Sequence, residues 1–142
     1  SGSDYSIVKG DPNKIFPISD IVIAASGTVT LEAALWEIPT VIVYKVSPIT
    51  AFFAKKFVTI PHVGLPNIVA GFEIAKELIQ EDSTPENIAK EVNLILENPE
   101  KIKQIKSKLA MLKNRLGQGG ASVNTARIAM KMICYKNRKN NK

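Results

Sequence analysis

Cysteine is nearly absent, with Cys134 alone in 142 residues. A single thiol closes no disulfide framework, and with one histidine, His62, it builds no zinc cluster. Set near Ile128, Met132 and Ile133, Cys134 reads as a small helix residue suited to a reducing cytoplasm. A lone histidine also supports no Ser–His–Asp arrangement, and His62 reads as a loop residue rather than a general base. No apolar run approaches the roughly 20 residues that a membrane-crossing helix needs. The longest candidates, residues 21–25 and Thr40–Tyr44, are strand-sized. The N-terminus has no basic stretch followed by an apolar one, so no secretory signal is read there. Residues 1–3, Ser-Gly-Ser, read instead as the scar of a cleaved tag. Basic and aromatic residues do not interleave in the way that stacks bases, which argues against nucleic acid as a partner.

Acid is the last absence. All 13 Asp and Glu lie at or before Glu100, against 7 Lys in that segment, whereas residues 101–142 carry 12 Lys and Arg and no acid. The net charge of +6 therefore hides an acidic body and a basic C-terminal segment. Such a segment suits an anionic partner (membrane lipid, phosphate or nucleic acid), or equally a solvated helix face.

What is present is enough for one domain, since 45% of the residues are apolar. Residues 7–9 (Ile-Val-Lys) suggest a short strand, then a turn at Gly10-Asp11-Pro12 and one helical turn over 13–17. Residues 21–25 form a continuous apolar run, as expected of a strand buried on both faces of a parallel sheet. Residues 29–36 favour helix, stopped by Pro39, and Thr40–Tyr44 gives a second buried strand. Strand, helix, strand makes a βαβ unit. Ser47-Pro48 opens a helix over 49–57. Residues 58–63 read as extended, Leu65-Pro66-Asn67 as a break, and 68–80 as partly helical. Thr84-Pro85 starts a helix with Ile88, Val92, Ile95 and Leu96 on one face. Asn98-Pro99 punctuates. Ile102, Ile105, Leu109, Leu112 and Leu116 form the next stripe, and residues 121–135 a last helix.

Chemistry is expected where the first strand meets the first helix. Ser26-Gly27-Thr28 is a small polar turn at the carboxyl end of a buried parallel strand, the place where open α/β sheets bind ligands. A helix N-terminus presents free N–H groups to an anion, Gly27 lets a phosphate approach the backbone, and Ser26 and Thr28 add hydroxyls. Glu32, one turn on, can accept hydrogen bonds from a sugar diol. The plainer alternative has Thr28 as a helix cap and Glu32 as a surface acid. Downstream, Asn67 sits in the proline loop, and Glu73, Glu77 and Gln80 fall at i, i+4, i+7, which a helix would place on one face. Trp36, Phe52 and Phe53 read as core or interface. Phe52, Phe53 and Phe57 beside Lys55 and Lys56 would alternatively make an amphipathic membrane-facing patch.

Three stretches, SDIVIAASGTVTLEAALWEIPTVIVYKVSPIT (19–50), FAKKFVTIPHVGLPNIVAG (53–71) and KELIQED (76–82), together resemble the lipid-A-disaccharide synthase family. LKNRLGQGGAS (112–122) extends the resemblance more loosely. The first stretch is shared with other nucleotide-sugar transferases and epimerases. The proline-asparagine loop with the glutamate-glutamine segment is more specific. The resemblance implies a two-Rossmann-domain glycosyltransferase, of which residues 4–135 would be a truncated C-terminal nucleotide-sugar-binding domain and 136–142 a basic tail. The fold class expected is α/β, a Rossmann-like parallel sheet of about three to four strands with several C-terminal helices.

The implied reaction joins UDP-2,3-diacylglucosamine to 2,3-diacylglucosamine 1-phosphate, giving the disaccharide and UDP. By resemblance Ser26, Gly27 and Thr28 would meet the diphosphate and Glu32 the ribose. Asn67, Glu77 and Gln80 would line the donor-sugar cleft, with Tyr44 and Lys45 as weaker candidates. No cofactor and no metal are implied. The catalytic base and acceptor site are expected in an N-terminal domain outside this sequence, so the chain alone is expected to be inactive. Its exposed sheet edge or last helix would favour a homodimer or a swapped dimer. A cytoplasmic enzyme held peripherally on the inner membrane of a Gram-negative-type bacterium is the implied setting. A muramyl-lipid glycosyltransferase, an epimerase or a non-catalytic nucleotide-binding module are the competing readings.

Overall fold

The computed structural model describes residues 5–47, 61–117 and 125–131. The expected helix over 49–57, the Phe52, Phe53, Lys55, Lys56 and Phe57 patch, Cys134 and the tail over 136–142 lie outside them.

Among the described residues a three-stranded parallel sheet carries the fold, ordered β1 (Val22–Ala25), β2 (Thr40–Tyr44), β3 (Lys76–Ile79). Helix α1 (Thr28–Leu35) crosses from β1 to β2, and α2 (Leu65–Ala70) precedes β3. Then come α3 (Pro85–Leu96) and α4 (Pro99–Leu116). This is the expected α/β, Rossmann-like arrangement. Residues 125–131 are also helical.

The register assigns the faces. Val41 and Val43 align with Lys76 and Leu78, and Ile42 and Tyr44 with Glu77 and Ile79. Side chains alternate along a strand, so these are two opposite faces. On one, Val41 and Leu78 pack with Ile95, flanked by Ile88, Val92, Ile102 and Ile105 of α3 and α4. On the other, α1 brings Ala33 against Phe16 and Ile38, with Val22 beside them. Ala34 of α1 joins Ala70, Ile74, Leu109 and Leu112. Helices thus cover both sides of β2, whose Val41 and Ile42 are fully buried. The first long helix starts as the sequence predicts, and the second starts at the Asn98-Pro99 punctuation in the same manner. The Thr84 hydroxyl accepts from Asn87 N–H at 3.2 Å and the Asn98 side chain from Lys101 N–H at 3.0 Å, each with proline next in line.

Several expectations fail for identifiable reasons. Residues 7–9 form no strand, for among the described residues no neighbouring strand pairs with them, and Ile7 is 80% exposed. The single helical turn over 13–17 is two short 3-10 turns, Pro12–Lys14 and Phe16–Ile18, the first capped by Asp11. β1 is an edge strand and alternates half-buried with exposed, rather than being buried throughout. Of the two readings of Trp36 only the core one fails, since the ring is half exposed with its indole N–H held by Asn13 Oδ1 at 3.0 Å. Leu96 and Leu116 fall off their buried stripes.

The largest correction concerns residues 65–80. Leu65-Pro66-Asn67 does not break the chain; it begins α2, with Pro66 in the first turn, where its missing N–H costs nothing. Gly71, at φ 80°, ends that helix in the left-handed region that glycine tolerates. Lys76–Ile79 is then strand, so Glu73, Glu77 and Gln80 share no helical face.

Gly64 must be glycine for space rather than for backbone freedom, its φ being −83°. A Cβ there would press into the Ile42 side chain and come within 3.2 Å of Glu77 Oε1. Gly64→Ala is expected to cost about 1–3 kcal/mol, as overpacking of a dense core does. Urea unfolding measures this; an unchanged midpoint would show that the loop above Ile42 yields freely.

Candidate functional site

The three strands point their carboxyl ends at one rim. Ala25 is aligned with Val43, and Tyr44 with Ile79. Residues 26–28, 44–46 and Gln80 therefore leave the sheet side by side.

At the first exit, Gly27 is the N-cap of α1 and no side chain caps the helix. Thr28 is the first helical residue and is exposed, so the reading of Thr28 as a cap does not hold. An uncapped start leaves the first amides without intrahelical acceptors. The Thr30 hydroxyl turns back to Gly27 C=O at 2.7 Å. A Cβ at Gly27 would meet nothing within 4 Å, so the backbone there faces open space. Glu32 lies one turn along from Thr28, on the same side of the helix, and is half-buried. Ser26 differs from its neighbours, because its hydroxyl already donates to Val63 C=O at 2.8 Å.

At the second exit Tyr44 is 38% exposed and Lys45 exposed. At the third, Gln80 holds Val46 with both ends of its amide. Oε1 accepts from Val46 N–H at 2.7 Å and Nε2 donates to Val46 C=O at 3.3 Å. Gln80 itself has φ 54°, a left-handed conformation that an L residue adopts at some strain.

Below this rim lies a polar network. Asn67 is fully buried and uses its whole hydrogen-bonding capacity. Its Oδ1 accepts from Ile74 N–H at 2.8 Å and Ala75 N–H at 2.9 Å, and its Nδ2 donates to Ala75 C=O and Glu77 Oε1, both at 2.7 Å. The Glu77 carboxylate also accepts from Val63 N–H through Oε2 and Gly64 N–H through Oε1, each at 3.0 Å. His62, whose loop position was expected, brings Nδ1 within 3.9 Å of the same oxygen. Asn67, Glu77 and Gln80 thus lie close beneath the rim with their polar atoms engaged by the protein's own backbone. Glu73 is apart from them, exposed and paired with Lys76 at 3.7 Å.

The helical spacing of Glu73, Glu77 and Gln80 masks the network in the sequence, since Glu77 is a strand residue. A carboxylate on the covered face of a β3 strand would have signalled a buried acid needing donors.

Among the described residues no group of three or more His, Cys, Asp and Glu could hold a metal ion. No described helix is long and apolar enough to cross a membrane. The groove of about 510 Å³ lined by Phe16, Trp36, Pro39, Leu96 and Lys106 opens away from the strand carboxyl ends.

The family model for lipid-A-disaccharide synthetase matches residues 3–133. The lipid-A-disaccharide synthase of Geobacter sulfurreducens is 40% identical over 133 residues, which are 94% of this chain and 35% of that protein. That of Trichlorobacter lovleyi is 46% identical over 114 residues, 80% of this chain and 30% of its own length. That of Coxiella burnetii is 38% identical over 130 residues, 92% of this chain and 35% of its own. The chain spans about a third of the length of these relatives.

Proposed function

The chain belongs to the lipid-A-disaccharide synthetase family, and from that premise we propose that it is the nucleotide-sugar-binding part of a hexosyltransferase. The whole enzyme would join UDP-2,3-diacylglucosamine to 2,3-diacylglucosamine 1-phosphate. An acceptor hydroxyl oxygen bonds to the sugar's anomeric carbon, the bond from that carbon to UDP breaks, and the proton passes to a base outside these residues. The family matches do not favour the readings as a muramyl-lipid transferase, an epimerase or a non-catalytic module.

The observation that carries the site is the uncapped start of α1 at the carboxyl end of β1, with Gly27 open and Glu32 one turn on. The amides of Gly27 and Thr28 and the Thr28 hydroxyl donate to the diphosphate. The positive helix end adds about 0.3–1 kcal/mol for an anion. These donors stabilise the departing UDP, so the reading requires no metal. The Glu32 carboxylate accepts from the ribose hydroxyls. Tyr44 and Lys45 flank the turn, and Lys45 supplies a second positive charge. Ser26 borders the turn, and Asn67, Glu77 and Gln80 hold the backbone beneath and beside it.

The partners follow the same reading: the diacylated donor and acceptor, the remainder of a longer polypeptide, and an anionic membrane surface on the cytoplasmic side for the basic segment. The exposed side chains of Ile23 on the β1 edge and of Ile128 and Met130 in the last helical stretch support further contacts with that polypeptide or a second copy.

Glu32→Ala is expected to weaken UDP binding about tenfold to a hundredfold, the loss of one or two hydrogen bonds to a charged group. Calorimetric titration of both proteins measures it. Equal affinity would remove the ribose assignment.

A further inference from the structure

Glu77 and the anion turn are joined by a short chain of hydrogen bonds. Glu77 Oε2 accepts from Val63 N–H at 3.0 Å, and Val63 C=O accepts from the Ser26 hydroxyl at 2.8 Å. One peptide residue therefore links the β3 carboxylate to the residue just before Gly27. We propose that Glu77 is a positioning residue that sets the 26–28 turn through Val63 and Ser26, and that it does not contact the donor sugar. The inference rests on the reading of that turn as the nucleotide site.

Three observations carry it. The carboxylate is almost wholly enclosed, with its side chain 6% exposed. Its oxygens are already met by three donors, Val63 N–H, Gly64 N–H and Asn67 Nδ2. Oε1 is filled by two of them, and the one acceptor position left, on Oε2, belongs to a side chain too enclosed for a sugar hydroxyl to reach it freely. Gly64 seals the approach, since the backbone there lies directly on Ile42 and Glu77. Ser26 is the surface end of the chain. With its proton given to Val63, its oxygen can accept but not donate, so the phosphate falls to the amides of residues 27 and 28 and to the Thr28 hydroxyl. Gln80 does the same service at the neighbouring exit, where its amide is engaged at both ends by Val46.

A sugar contact and a positioning role make different predictions for two ligands. Loss of a sugar contact weakens UDP-N-acetylglucosamine and spares UDP. Loss of positioning weakens both by the same factor. In the full chain, Glu77→Gln is expected to lower affinity for UDP and for UDP-N-acetylglucosamine alike, about tenfold. Ser26→Ala breaks the same chain at its exposed end and is expected to act on both ligands equally. The double variant should be no worse than the more damaging single one, since coupled residues are not additive. A selective loss for the sugar-bearing ligand in Glu77→Gln overturns the proposal, as does full additivity.

Amide spectra without ligand give the second readout. Glu77→Gln should move the Ser26 and Gly27 signals together with Val63 and Gly64. Unmoved Ser26 and Gly27 signals overturn the coupling, whether or not UDP binds. If Glu77→Gln does not fold, Ser26→Ala decides: moved Val63 and Gly64 signals support the chain and unmoved ones overturn it. Failure of the nucleotide reading looks different, since the unmutated chain would then show no UDP response at Gly27 and Thr28.

Discussion

Gly27→Ala is expected to leave the fold standing and to remove most of the proposed affinity for UDP. The two halves of that result have separate causes. The fold is spared because a Cβ at Gly27 meets nothing within 4 Å and the residue lies in extended backbone before α1. A stability change under about 1 kcal/mol is expected. Affinity is expected to suffer because, on the proposed reading, a diphosphate reaches the amides of residues 27 and 28 through the space a Cβ would fill. Losing one or two hydrogen bonds to a charged oxygen, about 1.5–3 kcal/mol each, weakens binding about tenfold to a hundredfold or more. Urea unfolding and calorimetric titration on the same preparation measure both halves. Unchanged UDP affinity would mean that glycine at this turn serves no ligand.

Asn67→Leu has the larger effect on stability. Leucine fills the volume but meets none of the four groups that Asn67 now satisfies. Ile74 N–H, Ala75 N–H and Ala75 C=O lose their side-chain partner, and Glu77 loses one of its donors. Each buried polar group left unpaired costs about 1–3 kcal/mol, so a total of about 3–5 kcal/mol is expected after partial relaxation. Against a typical stability of 5–15 kcal/mol this is a large fraction. The damage is aimed, because Asn67 is the pin between α2 and β3, and Glu77 passes its hold on to the 63–64 loop. Chemical denaturation reads the loss directly. A loss below about 1 kcal/mol would show that the backbone finds other partners.

The parts of the fold that were legible in the sequence were those decided locally. Ser26-Gly27-Thr28 between an apolar run and a helix-forming run located the β1–α1 turn to within a residue. Thr84-Pro85 marked a helix start because cap and proline act within one turn, and Asn98-Pro99, read only as punctuation, caps a second helix in the same way. β3 was not legible. Lys76–Ile79 is four residues long, too short to show a period, and it is strand because β2 offers it a parallel partner. Distance in sequence hid that partner. The same error hid the chemistry of Glu77, which as a helix residue would face solvent and as a strand residue lies under Gly64. The resemblance grouped Asn67, Glu77 and Gln80 as donor-cleft residues, and in the structure Asn67 and Glu77 are hydrogen-bonded while Gln80 holds Val46. Their geometry adds a different reason for that grouping, namely backbone held at the sheet's carboxyl rim. Trp36 shows the converse limit, for apolar character alone does not say whether a large ring is enclosed.

The central claim is that the rim at the carboxyl ends of β1 and β2 holds a uridine nucleotide. Backbone amide shifts of the unmutated chain, followed during titration with UDP, test it most directly. The account predicts saturable shifts largest at Gly27, Thr28 and Val29, reaching Glu32 and Lys45, and none in the groove bounded by Trp36, Leu96 and Lys106. Shifts confined to that groove, or none at residues 27–32 at millimolar UDP, would contradict it.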